Sequence, residues 1–333
     1  MASRFYHRRR FLAVGGQAVA ALTLTGRAAT AGAEPAPLTT TGAGGRILID
    51  AHTHFYDPTR AQGVPWPPHD DQLLYRPMRP KDYRALPVPE PVTGTVVVEA
   101  SPWLEDNQWV LELAAQSPFL VGFVGNLPVG TKLFAAHLKR FAANQLFRGI
   151  RIADRKLGET QGAVAFVSDL KLLAHHDLSL DLVGGRAMLP FADRLAQEIP
   201  DLRIIVDHLA GVVVDGQLPP ADWVTQMQAL TRRPNIFFKL SGLVEGTGRS
   251  DGSAPRDVEF YRPVLDPMRK MFGSERLIYA SNWPVSERFA SLATVEGIVV
   301  DYFRSQGRRA EEQVFSQSAK AAYRWVPREK STQ

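Results

Sequence analysis

The chain has 333 residues, 45% of them apolar and none of them cysteine. Disulfides and thiolate ligands are therefore excluded, and a metal ion could be held only by His, Asp, Glu or a modified Lys. The formal charge of +5 is no mark of a nucleic-acid binder, because Arg4, Arg8, Arg9, Arg10 and Arg27 account for all of it and residues 34–333 are formally neutral.

Residues 1–33 read as a twin-arginine signal peptide. His7-Arg8-Arg9-Arg10-Phe11-Leu12 is followed by an apolar run to Leu24, shorter than the roughly 20 residues a membrane span needs, and then by the small residues Ala31-Gly32-Ala33. The expectation is a periplasmic or secreted protein, carried by the twin-arginine export machinery and cleaved near Ala33. It has no stable membrane anchor and no nucleic-acid partner. Residues 34–45, rich in Pro, Thr and Gly, form a flexible linker with nothing to bury.

From residue 46 strands and helices alternate. Short apolar runs predict strands over 46–52, 95–99, 119–125, 147–152, 179–183, 203–208, 235–241 and 276–281. Amphipathic spacing predicts helices over 106–117, 131–143, 167–175, 186–198, 222–232, 257–272, 288–305 and 310–324. Eight nearly continuous apolar strands separated by helices suit a (β/α)8 TIM barrel over 46–325, since barrel strands are buried on both faces. A doubly wound open sheet competes, but it would normally place a glycine-rich phosphate turn after the first strand. Here that turn is His52-Thr53-His54-Phe55-Tyr56-Asp57-Pro58. Residues 56–94, rich in proline and aromatics, are a long insertion expected to form a lid or substrate wall, and 326–333 a C-terminal tail.

In such barrels chemistry gathers at the C-terminal ends of the strands. His52 and His54 are two residues apart, so both imidazoles face one way from a strand, as two ligands for one ion or as two proton-transfer groups. Further strand ends supply Glu99, Arg151, Asp181, His208, Lys239, Ser241 and Asn282. Single members have ordinary explanations: Asp181 as a helix cap, Lys239 snorkelling to an edge, Ser241 bonding backbone. Together they define a pocket for a small-molecule substrate. His52, His54 and His208 form an open site for zinc or manganese with water as the next ligand, or, without an ion, serve a substrate as proton-transfer groups. Arg151 is expected to grip a carboxylate or hydroxyl, with Lys239 as a second cation and Ser241 beside it. Trp283 and Tyr56, together with Trp66 and Tyr75, are candidate pocket walls. No organic cofactor is expected.

The stretch Ile49-Asp50-Ala51-His52-Thr53-His54-Phe55-Tyr56-Asp57-Pro58 resembles the strand-one motif of the amidohydrolase superfamily, in its amidohydrolase-2 and lactonase-like branch. Four more segments resemble that branch in order: Phe147 to Arg151, Val206 to Gly211, Phe238 to Gly242 and Arg276 to Val285. The resemblance implies a distorted (β/α)8 barrel and most often hydrolysis of a lactone or amide, sometimes non-oxidative decarboxylation. It also exposes one departure: the strand-eight aspartate, which in the family takes a proton from the attacking water, is Asn282. An amide is no general base, although its oxygen accepts hydrogen bonds. Glu99 is the preferred replacement, because burial moves a strand-end carboxylate toward neutrality, ahead of His208, Glu287 and Asp57. The expected activity is opening of a small lactone by water, at a carbonyl polarised by the histidines. Decarboxylation of an aromatic or unsaturated acid, and a ligand-binding barrel without turnover, are the alternatives.

Overall fold

The computed structural model describes residues 46–154 and 164–328, so the signal and linker expected over 1–45 lie outside the described residues. Its eight strands are β1 (Ile49–Thr53), β2 (Gly94–Val98), β3 (Leu120–Gly125), β4 (Phe147–Ala153), β5 (Ser179–Val183), β6 (Ile204–Val206), β7 (Ile236–Lys239) and β8 (Leu277–Ile278). They pair in parallel and in sequence order. The ring closes just beyond β8, where Asn282 N–H donates to His52 O at 2.9 Å and His54 N–H donates to Trp283 O at 2.8 Å. This is the expected (β/α)8 barrel.

The strands are apolar throughout because both faces are covered. All five residues of β2, Gly-Thr-Val-Val-Val, are buried. The helices supply the outer layer through one stripe each: Phe134, Leu138 and Phe141 of the Phe134–Ala142 helix recur at the spacing that keeps one face inward, and all three are buried. Each such side chain contributes on the order of 2 kcal/mol through removal from water. A second apolar cluster joins Ile205, Phe237 and Ile278 to Tyr323 and Trp325, bringing the C-terminal segment against the barrel.

Two expectations change most. The strand expected over 203–208 ends at Val206, and the chain then turns through His208, Leu209 and Ala210 at φ of 53°, 50° and 55°. Left-handed backbone costs about 1–2 kcal/mol per non-glycine residue, so this turn is held by its surroundings. The final helix is divided into Arg308–Glu312, a π-helical turn at Gln313–Gln317 and Ser318–Tyr323, and Val314 O in the turn accepts from Tyr279 N–H at 3.0 Å. The long insertion carries a short helix, α1 (Pro80–Arg84), and packs down as a wall: Leu74, Met78 and Tyr83 are buried. Among the described residues no helix is long and apolar enough to cross a membrane.

Candidate active site

Three imidazoles meet at the C-terminal mouth. His52 Nε2 lies 3.2 Å from His54 Nε2, and the His52 and His208 ring centres are 4.6 Å apart. Each outer histidine has its Nδ1 engaged, His54 on Val98 O at 2.9 Å and His208 on Ser241 Oγ at 2.8 Å. These partners fix ring orientation and leave Nε2 for other work. The left-handed turn after β6 delivers His208, and Gly242 makes room for it: at φ 77°, a Cβ there would stand 2.7 Å from His208 Cβ. Burial, with Arg151 nearby, pushes His54 down to about 3, and burial with Lys239 and Arg151 takes His208 to about 4. Burial and Lys239 also hold His52 well below its ordinary range. All three rings are therefore neutral near pH 7.

Beneath them lies an ion cluster cut off from water. Lys239 Nζ donates to Asp181 Oδ2 at 2.5 Å, sits 2.9 Å from Asp207 Oδ1 and 3.0 Å from His52 Nδ1, and all of these side chains are 0% exposed. Tyr323 OH donates to Asp181 Oδ1 at 2.9 Å. Burial drives Asp181 up to about 7 against the pull of Lys239, whereas for Asp207 the attraction of Lys239 and His52 outweighs burial and holds it well below the carboxylate range. The expectation that Lys239 contacts substrate is corrected here: β7 points it into a closed interior, where two carboxylates compensate its charge. Asp181 is likewise a buried counter-ion and not a helix cap. Ser241 serves as the partner of His208.

Above the histidines opens a cavity of about 440 Å³, lined by His54, Trp66, Glu99, Arg151, His208 and Asn282 among others. Arg151 Nε donates to Glu99 Oε1 at 2.9 Å and Nη2 to Glu99 O at 2.7 Å, so these two expected site residues act as one unit, with part of the arginine fork already spent on Glu99. Asn282 Nδ2 donates at 2.8 Å to Glu245 Oε1. Glu245 opens the 3₁₀ turn Glu245–Thr247, and burial raises it to about 7. Sequence reasoning missed it because it lies six positions beyond Lys239 and no periodicity marks the turn. The one available signal was an acid in the loop leaving β7.

Three wall candidates are placed elsewhere, Tyr75 against His69 at 4.7 Å between ring centres and outside the cavity lining. Trp283 is 1% exposed, packs on Phe55 and Tyr83 and donates Nε1–H to Glu287 Oε1 at 2.7 Å, so it is core rather than cavity wall. Tyr56 is 3% exposed and stacks edge-on to Trp66, with its OH on Leu74 O, and supports the wall from behind. Glu287 and Asp57 are both engaged, Glu287 by Trp283 and Arg76, Asp57 by Thr59 and Arg79.

The donor set fits a divalent ion. Two nitrogens bound at about 2.0–2.1 Å to one tetrahedral ion stand a little over 3 Å apart, and His52 Nε2 and His54 Nε2 are 3.2 Å apart. Ligand atoms of His52, Asp207 and His208 also fall within 4.8 Å of one another. Lys239 Nζ, 3.0 Å away, donates to His52 Nδ1 and so leaves the His52 proton on Nε2, toward His54 Nε2; an ion on Nε2 would require that proton to move to Nδ1, displacing the Lys239 contact, with Asp207 Oδ1 3.6 Å away.

A polar cavity ringed by histidines at the C-terminal mouth of a (β/α)8 barrel is an enzyme site. The amidohydrolase family profile matches residues 49–325, and the chain belongs to that family of hydrolases. It is similar to an L-fucono-1,5-lactonase of Burkholderia ambifaria, 31% identical over 240 residues that cover 72% of this chain and 80% of the relative. A second L-fucono-1,5-lactonase, from Burkholderia multivorans, is 25% identical over 278 residues, 80% of this chain and 92% of the relative. Among solved structures, an amidohydrolase from Burkholderia multivorans with bound zinc shares the fold at TM-score 0.72 and 22% identity, over 84% of this chain and 99% of that one.

Proposed function

We propose that this chain is an exported lactonase that opens the cyclic ester of a small hydroxyl- or carboxylate-bearing acid, with sugar lactones as the substrate class. The observation that carries this reading is the cavity lining, in which neutral imidazoles, a guanidinium–carboxylate unit and the Asn282 amide meet around one polar space. The likeness to two sugar lactonases supports the substrate class. The arginine-rich leader in residues 1–33 supports export to the periplasm.

Ser241 Oγ satisfies His208 Nδ1 in either tautomer, so Nε2 either donates its proton as a hydrogen bond to the lactone carbonyl, steadying the oxyanion that forms, or, with the proton on Nδ1, is free to hold an ion that would polarise that carbonyl. Arg151 places positive charge beside the substrate's oxygens and orients Glu99. Glu99 takes a proton from the attacking water as the water oxygen bonds to the carbonyl carbon. The ring C–O bond then breaks, and the same proton passes to the departing alkoxide, giving the open hydroxy acid. Asn282 offers its oxygen to the water's other hydrogen. His52, His54 and His208 are the residues that would hold a zinc or manganese ion, with Asp207 behind His52. Such an ion supplies Lewis-acid polarisation and a more acidic bound water.

The test is acid release by the purified full chain from L-fucono-1,5-lactone and L-rhamnono-γ-lactone, with CO₂ release from 2,6-dihydroxybenzoate measured alongside. Ring opening of at least one lactone and no CO₂ is expected. CO₂ release with the lactones untouched overturns the reading in favour of a decarboxylase, and saturable lactone binding without turnover in favour of a binding barrel. Elemental analysis is expected to find about one equivalent of zinc or manganese, lost when His52 and His54 are both replaced by Ala. Active protein free of transition metal overturns that part.

A further inference from the structure

The side chain of Asn282 is held in one orientation. Its backbone is left-handed at φ 58°, a conformation asparagine tolerates better than most residues, and is pinned at both ends: its N–H donates to His52 O at 2.9 Å and its carbonyl accepts from Ser286 N–H at 3.2 Å. Nδ2 donates to Glu245 Oε1 at 2.8 Å. An ionised carboxylate accepts and cannot donate, so this contact decides which end of the amide is nitrogen. Glu245 is itself fastened, since Gly246 N–H donates to Gly242 O and Gly246 O accepts from Val214 N–H, each at 2.9 Å.

We propose that Glu245 is a positioning residue of the active site: it holds the Asn282 amide with Oδ1 toward the cavity, as an acceptor for the attacking water. When ionised, Glu245 also carries, behind the cavity wall, the negative charge that an aspartate at 282 would place on it. This rests on the lactonase reading for the identity of the step served. Two carboxylates at hydrogen-bond distance do not both ionise near neutral pH, so with Glu245 in place an amide at 282 is the compatible partner. Asn282 stands between Glu245 and the cavity, and an amide does not relay protons, so Glu245 acts through orientation and not as the base.

Protonation is the natural way to release this hold. Burial raises Glu245 to about 7, opposed by its bond from Asn282. A protonated carboxyl can donate as well as accept, and it then no longer dictates the amide's orientation. The ionisable group that feels Glu245 from a neighbouring element is Tyr261, whose OH donates to Pro255 O at 2.7 Å and which Arg249 also faces. On the cavity side are His54, His208 and the Arg151–Glu99 unit.

Two readouts test the proposal. With whichever panel lactone the wild type opens, Glu245→Leu is expected to lower kcat by about 100-fold with KM changed little, and Glu245→Gln, which still accepts from Nδ2–H, by less than about 10-fold. The Gln variant is also expected to lose the acid limb that titrates with Glu245. The second readout needs no substrate: the side-chain ¹⁵N signal of Asn282, identified by its loss in Asn282→Asp, is expected to titrate with Glu245 in the wild type and stay flat in Glu245→Gln. A folded Glu245→Leu variant with wild-type kcat, or an Asn282 signal that does not titrate, overturns the proposal. If the wild type opens no lactone while the Asn282 signal titrates as expected, the lactonase reading fails and the positioning stands. If Glu245→Leu does not fold, the Gln variant and the titration decide.

Discussion

Two kinds of charged pair share the mouth of this barrel, and burial separates their roles. Lys239 with Asp181 and Asp207 is fully enclosed, each side chain 0% exposed, whereas the Arg151 and Glu99 side chains keep 15% and 18% of their surface. The inner cluster holds a cation against His52 where no substrate can reach, so its work is to fix the histidines. The outer pair is wet enough to meet a ligand and fixed enough to orient it. On the proposed function, the same chemistry of cation and carboxylate serves as foundation in one place and as contact surface in the other.

The largest effect is expected from the inner cluster. Lys239→Met leaves two buried carboxylates without their cation, and a loss of about 3–5 kcal/mol is expected in denaturant unfolding. A Lys239→Met protein as stable as the wild type would dissolve the distinction between the two regions.

A smaller effect comes from the imidazoles between them. His54 and His208 titrate at about 3 and about 4 in the folded protein against 6.5 in the unfolded chain. Because the folded values are depressed, the unfolded state binds more protons as acid is added. Their stability is therefore complete above pH 6.5 and is lost as pH falls toward 4, by on the order of 2 kcal/mol per histidine. Unfolding of the metal-stripped protein measured across that window is expected to show a shallower decline in His208→Gln, whose side chain cannot charge. An unchanged slope would mean that His208 is not held neutral by burial.

The smallest effect belongs to the outer rim. Trp66 is half-buried and lies 5.9 Å from His54, ring centre to ring centre. Trp66→Ala is expected to raise KM by about 10-fold with kcat nearly unchanged, because a rim aromatic contributes contact area and not chemistry. Steady-state kinetics checks this, and a fall in kcat alone would move Trp66 from wall to mechanism.

The barrel was legible because eight apolar runs at regular spacing leave few ways to bury both faces, and β5 coincides with its expected range at 179–183. The histidines were legible from their spacing. Lys239 was not, because Phe-Phe-Lys-Leu shows a cation on a doubly buried strand but not the two carboxylates that compensate it, which come from β5 and from the turn after β6. The left-handed turn at 208–210 was hidden by residues that carry no turn signal, His-Leu-Ala. Glu245 was hidden because its partner lies 37 positions away, and only the closed ring brings the two together. Trp283 was misassigned to the wall because an aromatic beside a strand end packs inward as readily as it lines a cavity.

The most direct test of the two-region account is to measure kcat/KM on the panel lactone and unfolding free energy together for wild type, Arg151→Ala and Asp181→Asn. The expected result is a crossed pattern. Arg151→Ala loses about 100-fold in kcat/KM with stability within about 1 kcal/mol of wild type, while Asp181→Asn loses several kcal/mol of stability with a smaller kinetic change. An Arg151→Ala enzyme as active as the wild type, or an Asp181→Asn protein equally stable but inactive, would contradict the account.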